Sequence, residues 1–402
     1  MEKRFNVVCD GVYFTEFEIR NELESSPSRN VHNLKICNID DVSETPNENF
    51  YYIITKIGEY LNFTNEIDIV KTIPNEIKNC FINNENFKII FLELNESDFD
   101  ETIEMVDYRL KKENLNPKRV YYINANHKIG NLKNKNNSDI NVYTINHGQY
   151  VNCFRLSLTN PEFILEKEFL FMTHNRSMKS HRLGLLCLLK KYDILDNVDW
   201  SLLRGSVLKN MFNDDDIFAE WFFSNVFSDE ITISLKNEIK YFADLGNRKS
   251  KYEHDYDFDG GGHRYDHDDS YKVKTYSNSY INITTETNFE SNNIIHITEK
   301  TFTPFNFYQI PVFVVTYQHV KYLRDMYGFD MFDDLVNHSY DNEIDNGKRL
   351  FMVADEIKRL NENPQLIKDF YKNNEERFIK NRNIIFEILN DKRDYNFFQS
   401  LI

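Results

Sequence analysis

No stretch of about 18 consecutive apolar residues occurs in the chain, which argues against a membrane-spanning helix. The opening residues, MEKRFNVVCDGVYF, lack the apolar run of a signal peptide, so the sequence predicts a cytoplasmic protein with no membrane partner. Cysteine is scarce: Cys9, Cys37, Cys80, Cys153 and Cys187 are odd in number, widely scattered, and form no CxxC pair. That pattern fits free thiols in a reducing compartment and excludes a disulfide frame or a cysteine zinc site. Positive charge is also short. With 48 Lys and Arg against 64 Asp and Glu the net charge is −16, and repulsion of a polyanion disfavours a nucleic-acid partner. The low glycine (12) and proline (8) counts, beside abundant Asn, Lys and Ile, reflect an AT-rich genome and say nothing about mechanism.

What is present is enough apolar (41%) and aromatic (15%) side chain for sizeable cores, in a chain of 402 residues that is too long for one ordinary domain. Residues 88–94 (KIIFLEL) and 118–124 (KRVYYIN) read as strands. Between them Ile103, Val106 and Leu110 recur at helical spacing, giving a βαβ unit with a right-handed crossover. Residues 130–139 read as a polar loop and 141–145 (NVYTI) as another strand. A second α/β region opens with a buried strand at 168–172 (EFLFM), a basic loop, and an apolar helix from His181 to about Ile194. After a poorly periodic middle and an Asp- and His-rich loop at 252–269, order resumes with strand 280–285, the apolar run 294–297, a helix opened by Thr298, strand 312–316, and a helix from Gln318 stopped by Gly328. The carboxyl-terminal stretch holds two or three helices, one with Pro364 in its first turn. The expected division is an amino-terminal Rossmann-like domain (1–150), a linker (151–165), a second Rossmann-like domain (166–345) and carboxyl-terminal helices (346–402), an α/β architecture with a ligand cleft between the domains.

Two clusters could carry chemistry. The stretch THNRSMKSHR after strand 168–172 places Asn175, Arg176, Lys179 and Arg182 where the next helix offers unpaired N–H groups, a place that suits phosphate. The bland alternative is a solvated basic loop. The second cluster is Glu286 together with Thr298, Glu299 and Lys300. Thr298 as N-cap and Glu299 as first-turn acid are ordinary helix chemistry. Lys300 is not, because a cation in the first turn opposes the helix dipole unless an anion shares the site.

The run FLFMTHNRSMKSHRLGLLCLLKKYDIL (169–195), with YINITTETNF (280–289), IHITEKTFTPFNFYQIPVFVV (295–315) and VKYLRDMYGFDMFDDLVNHSYD (320–341), resembles glycosyltransferases of phages and large viruses. Its TEK element is also similar to the donor-binding half of nucleotide-sugar fucosyltransferases of the GT-B arrangement. Two departures stand out: Thr303 occupies a position where the family often has Lys, and Asn-His-Ser-Tyr340 replaces the usual acid-Ser-Tyr. The resemblance implies a metal-independent glycosyltransferase without a cofactor, its nucleotide-sugar donor held by the second domain and working in a host's cytoplasm if the protein is viral. Arg176 and Arg182 would fall on the donor phosphates with Lys300 opposite, Glu299 on the ribose or sugar, and Glu286 near the sugar as a catalytic candidate; Asn175, Lys179 and Thr298 complete the expected donor-binding set. A glycan, protein or small-molecule acceptor is expected, with a modified DNA base left open.

A general base on the acceptor domain is expected at Glu93 or Glu96, just past strand 88–94, although surface acids there are commonly bland. The Asp and His residues of 253–269 tempt a reading as the metal site of a hydrolase or nuclease. With no strand before Asp255-Tyr-Asp257, a solvated loop explains them better, and no metal ligand is assigned. A non-catalytic viral binding or structural protein is the third reading. His147-Gly148 reads as a turn, and Trp200 and Trp221 as core.

Overall fold

The computed structural model describes residues 5–8, 34–45, 47–55, 69–93, 102–124, 138–144, 156–157, 159–175, 178–202, 219, 222–245, 248, 251, 270–290, 292, 294–295, 297–391 and 396. The chain divides into two units: residues 1–151 with 293–296 and 389–402, and residues 152–292 with 297–388.

The first unit is built on a six-stranded parallel sheet of β1 (Phe5–Val8), β2 (Leu34–Cys37), β3 (Phe50–Thr55), β4 (Phe87–Glu93), β5 (Val120–Asn124) and β6 (Asn141–Thr144), in the order β2-β1-β3-β4-β5-β6. Between the strands lie α1 (Ile39–Glu44), α2 (Ile69–Thr72), α3 (Asn75–Asn83) and α4 (Thr102–Lys112). Alternation assigns Phe50, Tyr52 and Ile54 of β3, Phe87, Ile89 and Phe91 of β4, and Val120 and Tyr122 of β5 to one face. They form one core with Ile77 and Phe81 of α3 and Ile103, Val106 and Leu110 of α4. Tyr51, Ile53, Ile90, Leu92 and Ile123, from the opposite face, are buried as well, as expected where a parallel sheet is covered on both sides. The βαβ unit read from residues 88–124 is therefore present.

In the second unit β7 (Phe169–Asn175), β8 (Val198–Leu202), β9 (Ser279–Thr285) and β10 (Ile310–Val314) make a parallel sheet in the order β10-β9-β7-β8. Its helices are α5 (Ser180–Lys191), α6 (Asp229–Ser234), α7 (Lys236–Leu245), α8 (Ser270–Ser277), α9 (Glu299–Asn306), α10 (His319–Tyr327), α11 (Asn346–Asn361), α12 (Pro364–Asn373) and α13 (Glu375–Leu389). Every residue of β9 and β10 is buried. So is α5 from Ser180 through Leu189, which explains its nearly continuous LGLLCLL run: it packs between α7 and α11 and has little solvent face. Gly184 permits that packing, since a Cβ there would stand 2.9 Å from the Phe227 ring and 3.2 Å from Leu350.

In each sheet the second strand of the unit lies on one side of the first and the third strand on the other, so the order reverses at one point. That point is β1/β3 in the first unit and β7/β9 in the second. Ligands of open parallel sheets bind beyond the carboxyl ends of the strands at such a reversal. Both α/β units are thus Rossmann-like in strand order, and no helix among the described residues is long and apolar enough to cross a membrane.

Of the apolar run 294–297, Ile294, Ile295 and Ile297 are buried and lie outside any strand. The middle of the second half, read as poorly periodic, contains β8, whose alternating polar residues Asp199 and Ser201 are buried along with its apolar ones. The second unit takes in residues 152–292 and 297–388. The Gly328 stop and the Pro364 start are as read: Gly328 takes the left-handed conformation, with φ of 74°, and Pro364 opens α12.

Candidate functional site

The reversal point of the second unit brings together the two segments singled out in the sequence. β7 ends at Asn175 and Lys179 stands just before α5, while Glu286 follows β9 and Thr298 opens α9. Asn175 is fully buried, and its Oδ1 accepts the Thr285 hydroxyl at 2.8 Å while its backbone N–H donates to Ser201 Oγ at 3.2 Å. It ties the ends of β7, β8 and β9 together.

Glu286, 1% exposed, is the hub of the arrangement. Its Oε1 accepts the backbone N–H groups of Thr298 (3.2 Å) and Thr301 (3.1 Å) and the Thr301 hydroxyl; its Oε2 accepts the Thr298 hydroxyl (2.7 Å) and the Thr287 N–H (3.3 Å). A carboxylate from the end of β9 thus occupies the anion position at the amino terminus of α9. Burial alone would raise the Glu286 pKa. Lys300 first, then His319 and the two threonine hydroxyls, outweigh it and hold the carboxyl below its ordinary value. Because the Thr301 hydroxyl donates to Glu286, its oxygen accepts from His319 Nε2 at 3.3 Å.

The main chain of Glu286 is held from the first turn of α5. His181 Nε2 donates to the Glu286 carbonyl at 3.0 Å, and Arg182 Nη2 donates to the carbonyls of Thr285 (3.3 Å) and Glu286 (3.2 Å). His181 is pushed well below its ordinary pKa by burial and then by Arg182, so a neutral ring makes this bond through its Nε2–H. Behind them Arg349, 1% exposed, donates to the carbonyls of Phe289 (2.6 Å), Val315 (3.1 Å) and Glu343 (2.7 Å). Burial pushes its pKa down to about 10.

Two ammonium groups at the site reach solvent in part. Lys179 Nζ donates to the Thr287 carbonyl at 2.9 Å. Lys300 Nζ donates to Thr298 Oγ at 3.4 Å and Glu299 Oε1 at 3.0 Å, its side chain 33% exposed. Burial lowers the Lys300 pKa, but Glu286 and then Glu299 more than reverse this, and the ammonium is held above its ordinary range. Both lysines are therefore anchored at consecutive residues, Lys179 directly at Thr287 and Lys300 through Thr298 to Glu286.

Of the expected site residues, Asn175, Lys179, Arg182, Glu286, Thr298, Glu299 and Lys300 lie in this one constellation. Thr298 is the N-cap of α9, accepting the Lys300 N–H at 3.2 Å. Arg182 is 2% exposed and holds the β9 loop, and Glu286 has its oxygens engaged by α9. Arg176, Glu96 and the loop 252–269 lie outside the described residues, as do Trp221, His147 and Gly148; Glu93 ends β4 opposite Asn124, its side chain also outside. Trp200 is core. Among the described residues no group of three or more His, Cys, Asp or Glu could hold a metal ion, and Cys37, Cys80 and Cys187 are free thiols. Sequence reading missed Thr301, His319 and Arg349. Only Thr301 left a trace, as the second threonine of TEKT, one helical turn after Thr298. No protein-family model matches the chain, and no curated protein does.

Proposed function

We propose that the protein is a glycosyltransferase of GT-B-like organisation, with the diphosphate of a nucleotide-sugar donor bound at the β7/β9 reversal of the second unit. The observation that carries this reading is the convergence of Lys179, Arg182 and Lys300, from the amino-terminal ends of two separate helices, on Glu286 and Thr287 in a protein of net charge −16. Lys179, Lys300 and the N–H groups opening α5 hold the diphosphate, and Arg176 is included with them on its place in the sequence alone. Arg182 and Glu286 act behind them: one clamps the β9 loop and the other fixes α9, so that Lys300 keeps its position. Thr298 and Glu299 flank Lys300 on the sugar side.

The chemistry follows from charge. As the bond between sugar and diphosphate breaks, negative charge grows on the leaving group, and fixed ammonium and N–H groups stabilise it without reorganising. This role can be filled without a divalent metal. The acceptor, a glycan, protein or small molecule, is assigned to the first unit, with Glu93 at the end of β4 or Glu96 beyond it as the base that takes the proton of the attacking hydroxyl.

A thermal-shift panel of nucleoside diphosphates in EDTA tests the reading. A ligand at about 100 times its dissociation constant adds roughly 2.7 kcal/mol, enough for a clear shift. Release of nucleoside diphosphate from a nucleotide sugar in the same buffer would establish turnover. A chain that shifts with none of the diphosphates argues for the non-catalytic alternative.

A further inference from the structure

The segment leading into β7 is a strap fastened at both ends. At residue 159, the Thr159 hydroxyl accepts from Asn306 Nδ2 at 2.7 Å and its carbonyl from Arg382 Nη2 at 3.2 Å. In the middle Phe163 stacks face to face on Tyr371, with centroids 4.7 Å apart, and meets Tyr308 edge-on at 5.6 Å. At residue 167 the main-chain N–H donates to the Tyr280 hydroxyl at 3.1 Å, and that hydroxyl donates to the Leu165 carbonyl at 3.0 Å. The Lys167 side chain then turns inward. The residue is 9% exposed; Nζ donates to the Tyr308 carbonyl at 3.2 Å and stands 4.6 Å from the centroid of the Tyr371 ring.

This is an unusual place for an ammonium. It has three N–H bonds and one acceptor, and no carboxylate pairs with it among the described residues. The face of Tyr371 offsets part of the cost of burying the charge, but a ring quadrupole does not replace water. A neutral amine keeps the hydrogen bond to Tyr308 and the contact with the ring, and avoids the charge.

We propose that Lys167 makes this strap a pH-operated latch: the neutral amine closes into the box of Tyr280, Tyr308, Tyr371 and Phe163, and protonation weakens that closure. Burial pushes the amine down to about 7. The groups that face it are Tyr280 from β9, Tyr308 from the turn after α9 and Tyr371 from α12, with Glu166 next to it in the strap, Glu375 at the start of α13, and Arg382 of α13 over the Tyr308 ring. Burial raises the Tyr280 and Tyr371 hydroxyls, so neither ionises in the neutral range. Released from the box, the lysine returns to its ordinary 10.5. Between about 7 and 10.5 the closed strap therefore binds fewer protons than the open one, and closure strengthens as pH rises; below 7 the whole penalty is present. The strap feeds directly into β7, so its fastening sets how firmly the first strand of the donor sheet is seated.

Lys167→Met keeps the stem and removes the charge. Melting of variant and wild type, followed by tryptophan fluorescence from pH 6 to 9.5, should show the variant more stable at pH 6. The wild type should close the gap as pH rises, by a closing constant that increases up to about tenfold per pH unit above 7. Amide hydrogen exchange at 159–167 in the wild type, corrected for its intrinsic pH dependence, should show protection rising over the same interval. A difference between variant and wild type that is constant with pH, or a wild type that is the more stable at pH 6, overturns the proposal. Should the variant fail to fold, flat or falling protection in the wild-type strap overturns it as well.

Discussion

Glu286 accepts the Thr298 hydroxyl at 2.7 Å and the Thr298 backbone N–H at 3.2 Å, across twelve residues of chain. An acid at the carboxyl end of β9 thereby closes the amino terminus of α9, and Lys300 sits beside an anion that the protein itself supplies. A bound phosphate is consequently not needed to explain a lysine in the first turn, and the diphosphate proposed as ligand would be left with Lys179, the outer side of Lys300 and the start of α5.

Replacing Glu286 by Gln turns an acceptor-only group into one that presents an NH2 to hydrogen-bond donors. We expect a loss of about 2–4 kcal/mol, the range for breaking a buried charged hub and stranding its donors. Denaturant unfolding followed by tryptophan fluorescence reads this in the second unit, to which both Trp200 and Trp221 belong. The pH dependence has a fixed sign. Because the folded pKa lies below the ordinary 4.5, the stabilisation from Glu286 is complete above about 4.5 and disappears as pH falls through the depressed value. The Gln variant should lack that part of the acid transition.

Lys300→Met has different consequences in the empty and the bound protein. Without ligand the ammonium is partly exposed and shares Glu286 with two threonines, so removing it should cost no more than about 1 kcal/mol. With a nucleoside diphosphate present the same change should weaken binding at least tenfold. If stability falls severely while affinity stays unchanged, Lys300 is a structural lysine and has no place in the ligand site.

Two glycines should rank by what they would meet. A Cβ on Gly347 would stand 2.5 Å from the Val226 carbonyl oxygen, part of the main chain, whereas one on Gly184 meets the edge of the movable Phe227 ring at 2.9 Å. Gly347→Ala should therefore be the more damaging, with overpacking costs of about 1–3 kcal/mol for the pair. Equal melting temperatures for the two variants would contradict the packing described for α5 and α11.

Much of the sheet was legible because its strands are short apolar runs ended by polar residues, as at 88–94 and 168–172, and because Ile103, Val106 and Leu110 keep helical spacing. Thr298 and Gly328 were legible as caps because capping is local. β8 was hidden because Asp199 and Ser201 interrupt its pattern, and Asp199 is paid for by contacts far along the chain: His174 at 3.5 Å and the Lys251 N–H at 3.0 Å. The role of Glu286 was hidden for the same reason, since its partners lie twelve and fifteen residues away and its main chain is held from α5. Arg182 read as a ligand-facing cation because a sequence does not show which charges turn inward.

Diphosphate binding at the β7/β9 reversal of the second unit, through Lys179 and Lys300, is the step on which the proposed function depends. Isothermal titration of the full chain with a panel of nucleoside diphosphates in EDTA, beside Lys179→Met and Lys300→Met, tests it most directly. At least one diphosphate should bind saturably with 1:1 stoichiometry, weakened at least tenfold by either substitution in a folded protein. No heat of binding from any diphosphate, or binding that both variants retain unchanged, would contradict it.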